Sequence, residues 1–136
     1  MLRYLSGTVY TQDYLAGQMY TTETGTLLMN IRRVLNDFQT SHNYNQWGDL
    51  DADDMAMYIY HTIYRRGKPV LMGLENTSTA DWYYNASGHG VVINAIYSDQ
   101  SRIQIADPLG GWYDDWPVYY VKNVETVNQY YSFMLW

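Results

Sequence analysis

Two short apolar segments separated by a turn constrain the fold of this 136-residue chain more than any other feature. The first segment, residues 88–93, reads GHGVVI, and the second, residues 102–106, reads RIQIA and is followed by Asp107. Residues 99–101 between them are Asp, Gln and Ser, which are typical of a turn. An antiparallel pair connected there brings the start of one strand beside the end of the next. We therefore expect the side chains of His89 and Asp107 to be adjacent.

An imidazole beside a carboxylate provides two members of a catalytic triad, namely the general base and the group that orients it. The third member is a nucleophile. The carboxylate accepts a hydrogen bond from one ring nitrogen, fixes the tautomer and supports formation of the imidazolium. Gly88 and Gly90 leave the His89 imidazole sterically accessible. A single His at the start of a strand is more often structural, so this interpretation also depends on Asp107 and on the aromatic residues near both positions. His89 and Asp107 are the candidate catalytic residues.

Aromatic residues make up 17% of the chain and flank both candidate residues. Tyr and Trp combine an apolar ring with a polar group, so they suit the walls of a half-exposed cleft that holds an extended peptide. A compositional habit of the source organism would explain the aromatic content equally well. The residues predicted to contact a substrate are Trp82, Tyr84, Gly88, Trp112 and Trp116.

The first half of the sequence has helical patterns. Thr11 is placed to cap a short helix that runs to Met19. Residues 27–38 place apolar side chains on one face at helical spacing. Asp51 is placed to cap a third helix, and Gly67 is a plausible stop for it.

The second half has strand patterns. Apart from the two segments described first, residues 69–74, 118–121 and 131–136 are expected to form strands, and Asn123 is placed to cap a short helix. Helices followed by an antiparallel sheet make an α+β fold. The length favours a single domain over residues 1–136.

The charge pattern argues against several partners. The net charge is −6 and Lys and Arg are not clustered, so a nucleic-acid partner is not expected. No apolar run approaches the length of a membrane-spanning helix. The absence of Cys excludes disulfides and thiolate metal sites. His42, His61 and His89 are too scattered to predict a zinc site, so neither a metal nor another cofactor is expected.

An acidic segment has part of the spacing of a calcium-binding loop. Asp49, Asp51 and Asp53 occupy the first three alternating positions of an EF-hand loop. The sixth position is Asp54 where the loop needs Gly, and the twelfth is Tyr60 where it needs Glu. A helix cap with an acidic first turn is the better explanation.

Five motifs in order resemble those of the double-glycine (bacteriocin-processing) peptidase-like family of papain-like cysteine peptidases. Residues 10–19 resemble the segment after the catalytic helix, and residues 21–26 resemble a Thr/Gly turn. Residues 66–70 resemble the entry to the sheet. Residues 88–93 and 106–108 resemble the catalytic His and Asp motifs. The resemblance implies a papain-like fold, peptide or protein substrates and a bacterial source.

The sequence departs from that family at one decisive point, because the family begins with a Cys-Gly-Pro motif at the head of its catalytic helix. Residues 1–7 resemble only the end of that helix, so the nucleophile would lie about two turns before Met1. Either the chain is clipped at its N-terminus or it is a degenerate relative. The intact His89 and Asp107 motifs favour clipping. We expect the 136 residues alone not to hydrolyse peptides.

Two functions remain open at this point. In the first, the intact protein is a papain-like thiol peptidase, in which His89 moves the proton and Asp107 orients His89. In the second, the chain is a non-catalytic module that binds a peptide or a glycan in its aromatic cleft. The sequence upstream of Met1 distinguishes them, because an in-frame Cys-Gly-Pro there favours the enzyme.

Overall fold

The computed structural model describes residues 1–110 and 117–136. The chain divides into two compact units, Met1–Gln46 and Trp47–Trp136. The assignment of the chain to a single domain stays a prediction.

The first unit is helical. Its helices are α1 (Leu2–Ser6), α2 (Gln12–Gln18) and α3 (Leu28–Asp37). Gly7 ends α1 in the left-handed conformation, with φ of 73°, which a residue without Cβ adopts at little cost. The Thr11 side chain caps α2 by accepting a hydrogen bond from the Tyr14 backbone N–H at 3.2 Å. The predicted cap at Thr11 is confirmed.

Helix α3 buries only part of its predicted apolar face. Val34 and Leu35 are buried, whereas Leu27 precedes the helix in extended backbone and is exposed. Placing Leu27 on the buried face was wrong, because the periodicity continues one residue beyond the point where the helical backbone begins.

The second unit begins with helix α4 (Ala52–Tyr60), which continues into a π-helical turn at His61–Arg65. Oδ1 of Asp51 accepts a hydrogen bond from the Asp54 backbone N–H at 2.8 Å, so this residue is the N-cap predicted from the sequence. Gly67, with φ of 64°, follows the last helical turn as expected. The π-helical turn was not predicted, because side-chain periodicity does not distinguish one widened turn from an α-helical one.

The sheet of the second unit is antiparallel, as predicted. Its strands are β2 (Val70–Leu74), β3 (His89–Ile96), β4 (Arg102–Ala106), β5 (Tyr119–Asn123) and β6 (Tyr131–Leu135), and the two-residue strand β1 (Gln46–Trp47) lies at the boundary of the two units along the chain. The strands β2 to β6 are arranged in the order β6-β2-β3-β4-β5. Helix α5 (Val124–Asn128) follows Asn123, as predicted, although the Asn123 side chain makes no capping bond. The α+β class is confirmed.

Residues 99–101 form the predicted turn between β3 and β4. The backbone N–H of Ser101 donates to Oδ1 of Asp99 at 3.1 Å, and Gln100 takes a positive φ of 59°. Ile96 pairs with Ile103 beside this turn, and the register then shifts at an irregularity between Ile93 and Ala95. Beyond the irregularity, Val92 pairs with Ala106 near the end of the hairpin where the candidate site lies.

One face of the sheet carries the core. Alternate residues of β2, β3 and β4 are buried and cluster with side chains of α4 and α5. The central members are Val70, Met72, Leu74, Val91, Ile93, Ile103 and Ile105. Burial of this face on folding fixes which side chains of each strand point inward.

Across the described parts of the chain, no helix has the length and apolar character needed to cross a membrane.

Candidate functional site

His89 and Asp107 meet at the end of the sheet away from the β3–β4 turn. His89 is the first residue of β3 and pairs with Leu74 of β2, whose side chain is buried in the core. Asp107 directly follows β4, and by alternation its side chain lies on the same face as that of Ile105. Nε2 of His89 lies 2.7 Å from Oδ1 of Asp107. The predicted adjacency is confirmed.

The two side chains are buried to different degrees. The Asp107 side chain is 1% exposed, whereas that of His89 is 12% exposed. The carboxylate is therefore inside the protein, while a small part of the His89 side chain reaches the surface. This is the arrangement that an orienting carboxylate and an accessible base require.

Four hydrogen bonds fill the acceptor sites of the Asp107 carboxylate. Oδ1 accepts from His89 Nε2 and from the Leu109 backbone N–H at 2.9 Å. Oδ2 accepts from the hydroxyl groups of Tyr84 at 2.5 Å and Tyr120 at 2.6 Å. A carboxylate offers about four lone-pair sites, so these donors leave none for a proton. The buried charge is thus fully satisfied within the protein.

The pKa of Asp107 follows from a competition between burial and these donors. Burial alone would raise the pKa, because it disfavours the charged form. The hydrogen bonds from His89, Tyr120 and Tyr84, together with that from the Leu109 N–H, outweigh burial and lower the pKa to about 2. Asp107 is ionised at neutral pH as a result.

An ionised Asp107 fixes the tautomer of His89. A carboxylate only accepts, so Nε2 of His89 carries the proton, and in the neutral ring Nδ1 keeps its lone pair. Within residues 1–110 and 117–136, Nδ1 makes no hydrogen bond. Among the described residues other than its chain neighbours, a Cβ added at Gly88 or at Gly90 would meet no heavy atom within 4 Å. Nδ1, the basic nitrogen, is therefore available to a reacting group. Gly88 and Gly90 leave space beside His89 for that group.

The segment between β2 and β3 positions Tyr84. The buried Thr77 hydroxyl donates to the carbonyl of Tyr84 at 2.9 Å and accepts from the Ala86 N–H at 2.8 Å. The ring of Tyr84 meets that of His89 edge-on, with centroids 5.2 Å apart. Burial raises the pKa of Tyr84, and the hydrogen bond to Asp107 raises it further. The tyrosine is therefore a neutral donor throughout the physiological range.

Tyr120 reaches the site from the opposite side, on β5. It pairs with Ile105 of β4, which puts its side chain on the face that carries Asp107. Its hydroxyl accepts a hydrogen bond from Nε1 of Trp82 at 3.0 Å while donating to Asp107. Burial and the bond to Asp107 raise the pKa of Tyr120 as well. The order of donation runs from Trp82 through Tyr120 to Asp107.

Trp82 is held by a cluster around the same segment. Its ring lies edge-on to Tyr130, with centroids 5.9 Å apart, and Nζ of Lys122 lies 5.2 Å from the ring centroid. Lys122 also donates to the backbone carbonyl of Asp81, whose carboxylate accepts from the Tyr130 hydroxyl at 2.6 Å. Residues of β5 and of the approach to β6 thus hold the segment that carries Trp82 and Tyr84.

The predicted groove residues are not placed as expected. Trp82 is 4% exposed and Tyr84 is 5% exposed, so both are in the core and do not line an open groove. The expectation overlooked that their polar groups find partners inside the protein, which allows the whole side chain to be buried. Gly88 is exposed beside His89, as expected. Trp112 and Trp116 lie outside the described residues.

An open apolar groove of about 340 Å³ lies on the other face of the sheet, bordered by Asp107 at one end. Its remaining lining residues are Leu71, Gly90, Val92, Ala106, Pro108 and Val118. The groove was not predicted from the sequence, because a strand in which Leu71 or Val92 is partly buried has the same apolar pattern as a fully buried strand.

Tyr120 was not among the residues predicted for the site. Residues 118–121 were expected to form a strand, and alternation puts Tyr119 and Tyr120 on opposite faces. Only the pairing of Tyr120 with Ile105 determines that Tyr120, and not Tyr119, lies on the same face of the sheet as Asp107. Among residues 1–110 and 117–136, no group of three or more His, Asp or Glu side chains is placed to hold a metal ion.

No protein-family model matches the chain, and a search of curated proteins finds no significant match.

Proposed function

We propose that this chain supplies the base and the orienter of a papain-like cysteine peptidase site of the double-glycine peptidase-like type. The observation that carries the proposal is the 2.7 Å contact of His89 Nε2 with an Asp107 carboxylate that is itself 1% exposed. The α+β fold supports it, because His89 begins one antiparallel strand and Asp107 directly follows the next. The motifs that resemble the family contain the same two residues.

The proposed reaction uses the nitrogen that Asp107 leaves available. Nδ1 of His89 takes the proton of a thiol, and the thiolate sulfur bonds to the carbonyl carbon of a peptide. The C–N bond of the peptide then breaks, and His89 returns the proton to the leaving amine. Water, deprotonated in turn by Nδ1, hydrolyses the thioester and releases the thiol. Because the 136 residues contain no Cys, the thiol comes from outside them in this proposal.

The second hypothesis is a module that binds a peptide or glycan in an aromatic cleft, and burial of Trp82 and Tyr84 removes two of the residues predicted to line it. A binding module also has no need for an ionised carboxylate that fixes one histidine tautomer. Binding without cleavage is therefore treated as an outcome of the test.

The test joins the chain to the in-frame residues encoded before Met1 and measures cleavage of a fluorogenic peptide that ends in Gly-Gly. We expect cleavage that iodoacetamide abolishes. His89→Ala should lower kcat/KM by about 10²- to 10⁴-fold, the usual contribution of a general base. The control is His61→Ala, because His61 is exposed and lies in the π-helical turn.

Two results would contradict the proposal. One is cleavage that His89→Ala lowers no more than His61→Ala does. The other is an upstream reading frame without Cys, together with binding of the same peptide by the chain without hydrolysis. The second result would establish the binding module.

A further inference from the structure

We propose that Tyr84 and Tyr120 are positioning residues for His89, because together they hold Oδ2 of Asp107 so that Oδ1 faces the imidazole. The role rests on the proposed function, since it matters only if His89 acts as a base. Neither hydroxyl group bonds to His89, so both hydroxyls act through Asp107.

The geometry supports a joint role. The two hydroxyl groups come from separate parts of the chain, Tyr84 from the segment before β3 and Tyr120 from β5, and both end on one oxygen. A carboxylate with one face free can rotate about χ2, because that torsion is broad. With Oδ2 fixed by two donors and Oδ1 fixed by the Leu109 N–H, rotation of Asp107 would break three hydrogen bonds. The direction in which Oδ1 faces His89 is thereby set before any substrate binds.

The two tyrosines also keep the carboxylate charged. Each donates its only hydroxyl proton to Oδ2, so protonation of that oxygen would require at least one bond to be lost. The Tyr120 oxygen already accepts from Nε1 of Trp82 at 3.0 Å, which occupies one of its two lone pairs. The low pKa of Asp107 agrees with this arrangement. Within the described residues, the titratable groups in contact with Asp107 are His89, Tyr84 and Tyr120.

The test uses the chain itself and the variants Tyr84→Phe and Tyr120→Phe. Tyr83→Phe is the matched control. It removes a hydroxyl from the neighbouring residue, whose ring lies 4.9 Å from that of Tyr120 but whose hydroxyl makes no bond to Asp107. The readout is a pH titration of the ¹³C carboxyl shift of Asp107. A structural role alone would change the melting temperature without moving this titration.

We expect each of the two variants to raise the pKa of Asp107 by about one to two units, the effect of losing one hydrogen bond to a buried charge. The double variant should also reduce the fraction of the Nε2–H tautomer of His89, measured from its ¹⁵N shifts. If both single variants titrate like Tyr83→Phe, the proposal is overturned.

A measurement on the unaltered chain covers the case in which a variant does not fold. The hydroxyl protons of Tyr84 and Tyr120 should exchange slowly with water and appear as separate resonances, unlike that of the exposed Tyr83. Exchange as fast as that of Tyr83 would also overturn the proposal. These readouts need no thiol, so their failure is distinct from failure of the proposed peptidase, which the cleavage assay decides.

Discussion

The side chains of His89 and Asp107 approach to 2.7 Å although His89 begins β3 and Asp107 follows β4, and the contact uses Nε2 of the imidazole. This choice of atom has a chemical consequence. Because the carboxylate takes the proton-bearing nitrogen, the second nitrogen, Nδ1, keeps its lone pair in the neutral ring. A base with a fixed tautomer is thus present in the chain without a ligand.

Asp107→Asn is expected to preserve the tautomer of His89. The Leu109 N–H and His89 Nε2 both require an oxygen at the Oδ1 position, so the Asn amide oxygen should occupy it and the amide nitrogen should face the tyrosines. Asp107→Ala removes the acceptor, so the Nε2–H tautomer should no longer dominate. The ¹⁵N shifts of the imidazole measure both. Loss of the tautomer in the Asn variant would show that the charge, and not the acceptor geometry, fixes it.

Acid should destabilise the folded chain through Asp107. Its folded-state pKa of about 2 lies below the usual value, so its contribution is complete above the unfolded pKa and is lost as the pH falls through the folded pKa. We expect a loss of about 2 kcal/mol in the free energy of unfolding between about pH 4 and pH 2. Urea unfolding of the chain and of Asp107→Asn measures it. Equal losses in both would assign the effect to other carboxylates.

Thr77→Val should destabilise the segment that carries Tyr84. The buried hydroxyl makes two hydrogen bonds, to the Tyr84 carbonyl and from the Ala86 N–H, and valine keeps the shape without either. We expect a loss of about 1–3 kcal/mol in the free energy of unfolding. Thr77→Ser keeps the hydroxyl and is expected to cost about 1 kcal/mol for the lost methyl group. A serine variant as unstable as the valine variant would contradict this account.

Asp51→Ala should weaken helix α4. The Asp51 carboxylate caps the helix through the Asp54 N–H at 2.8 Å, and loss of such a cap costs about 0.5–2 kcal/mol. Asp53→Ala is the control, because Asp53 lies in the same turn but is not the N-cap residue. Thermal unfolding compares the two variants. If the control is the more destabilised, the acidic first turn matters more than the cap.

The sequence by itself determined the local elements and one contact of the candidate site. The turn residues 99–101 and the apolar segments on both sides predicted the hairpin that brings His89 to Asp107, although the irregularity between Ile93 and Ala95 was not predicted. The caps at Thr11 and Asp51 followed from side chains that bond to backbone only a few residues away. These features depend on neighbours in the chain, so local patterns were enough to predict them.

Only the tertiary structure decided what surrounds Asp107. Tyr120 reaches it because β5 pairs with β4 in one particular register, and Tyr84 reaches it because Thr77 and the core hold its segment against the sheet. An aromatic residue with a polar group has the same sequence signature at a groove as inside a core. Whether Tyr84 is buried depends on a partner for its hydroxyl, and that partner comes from a distant strand once the sheet has formed.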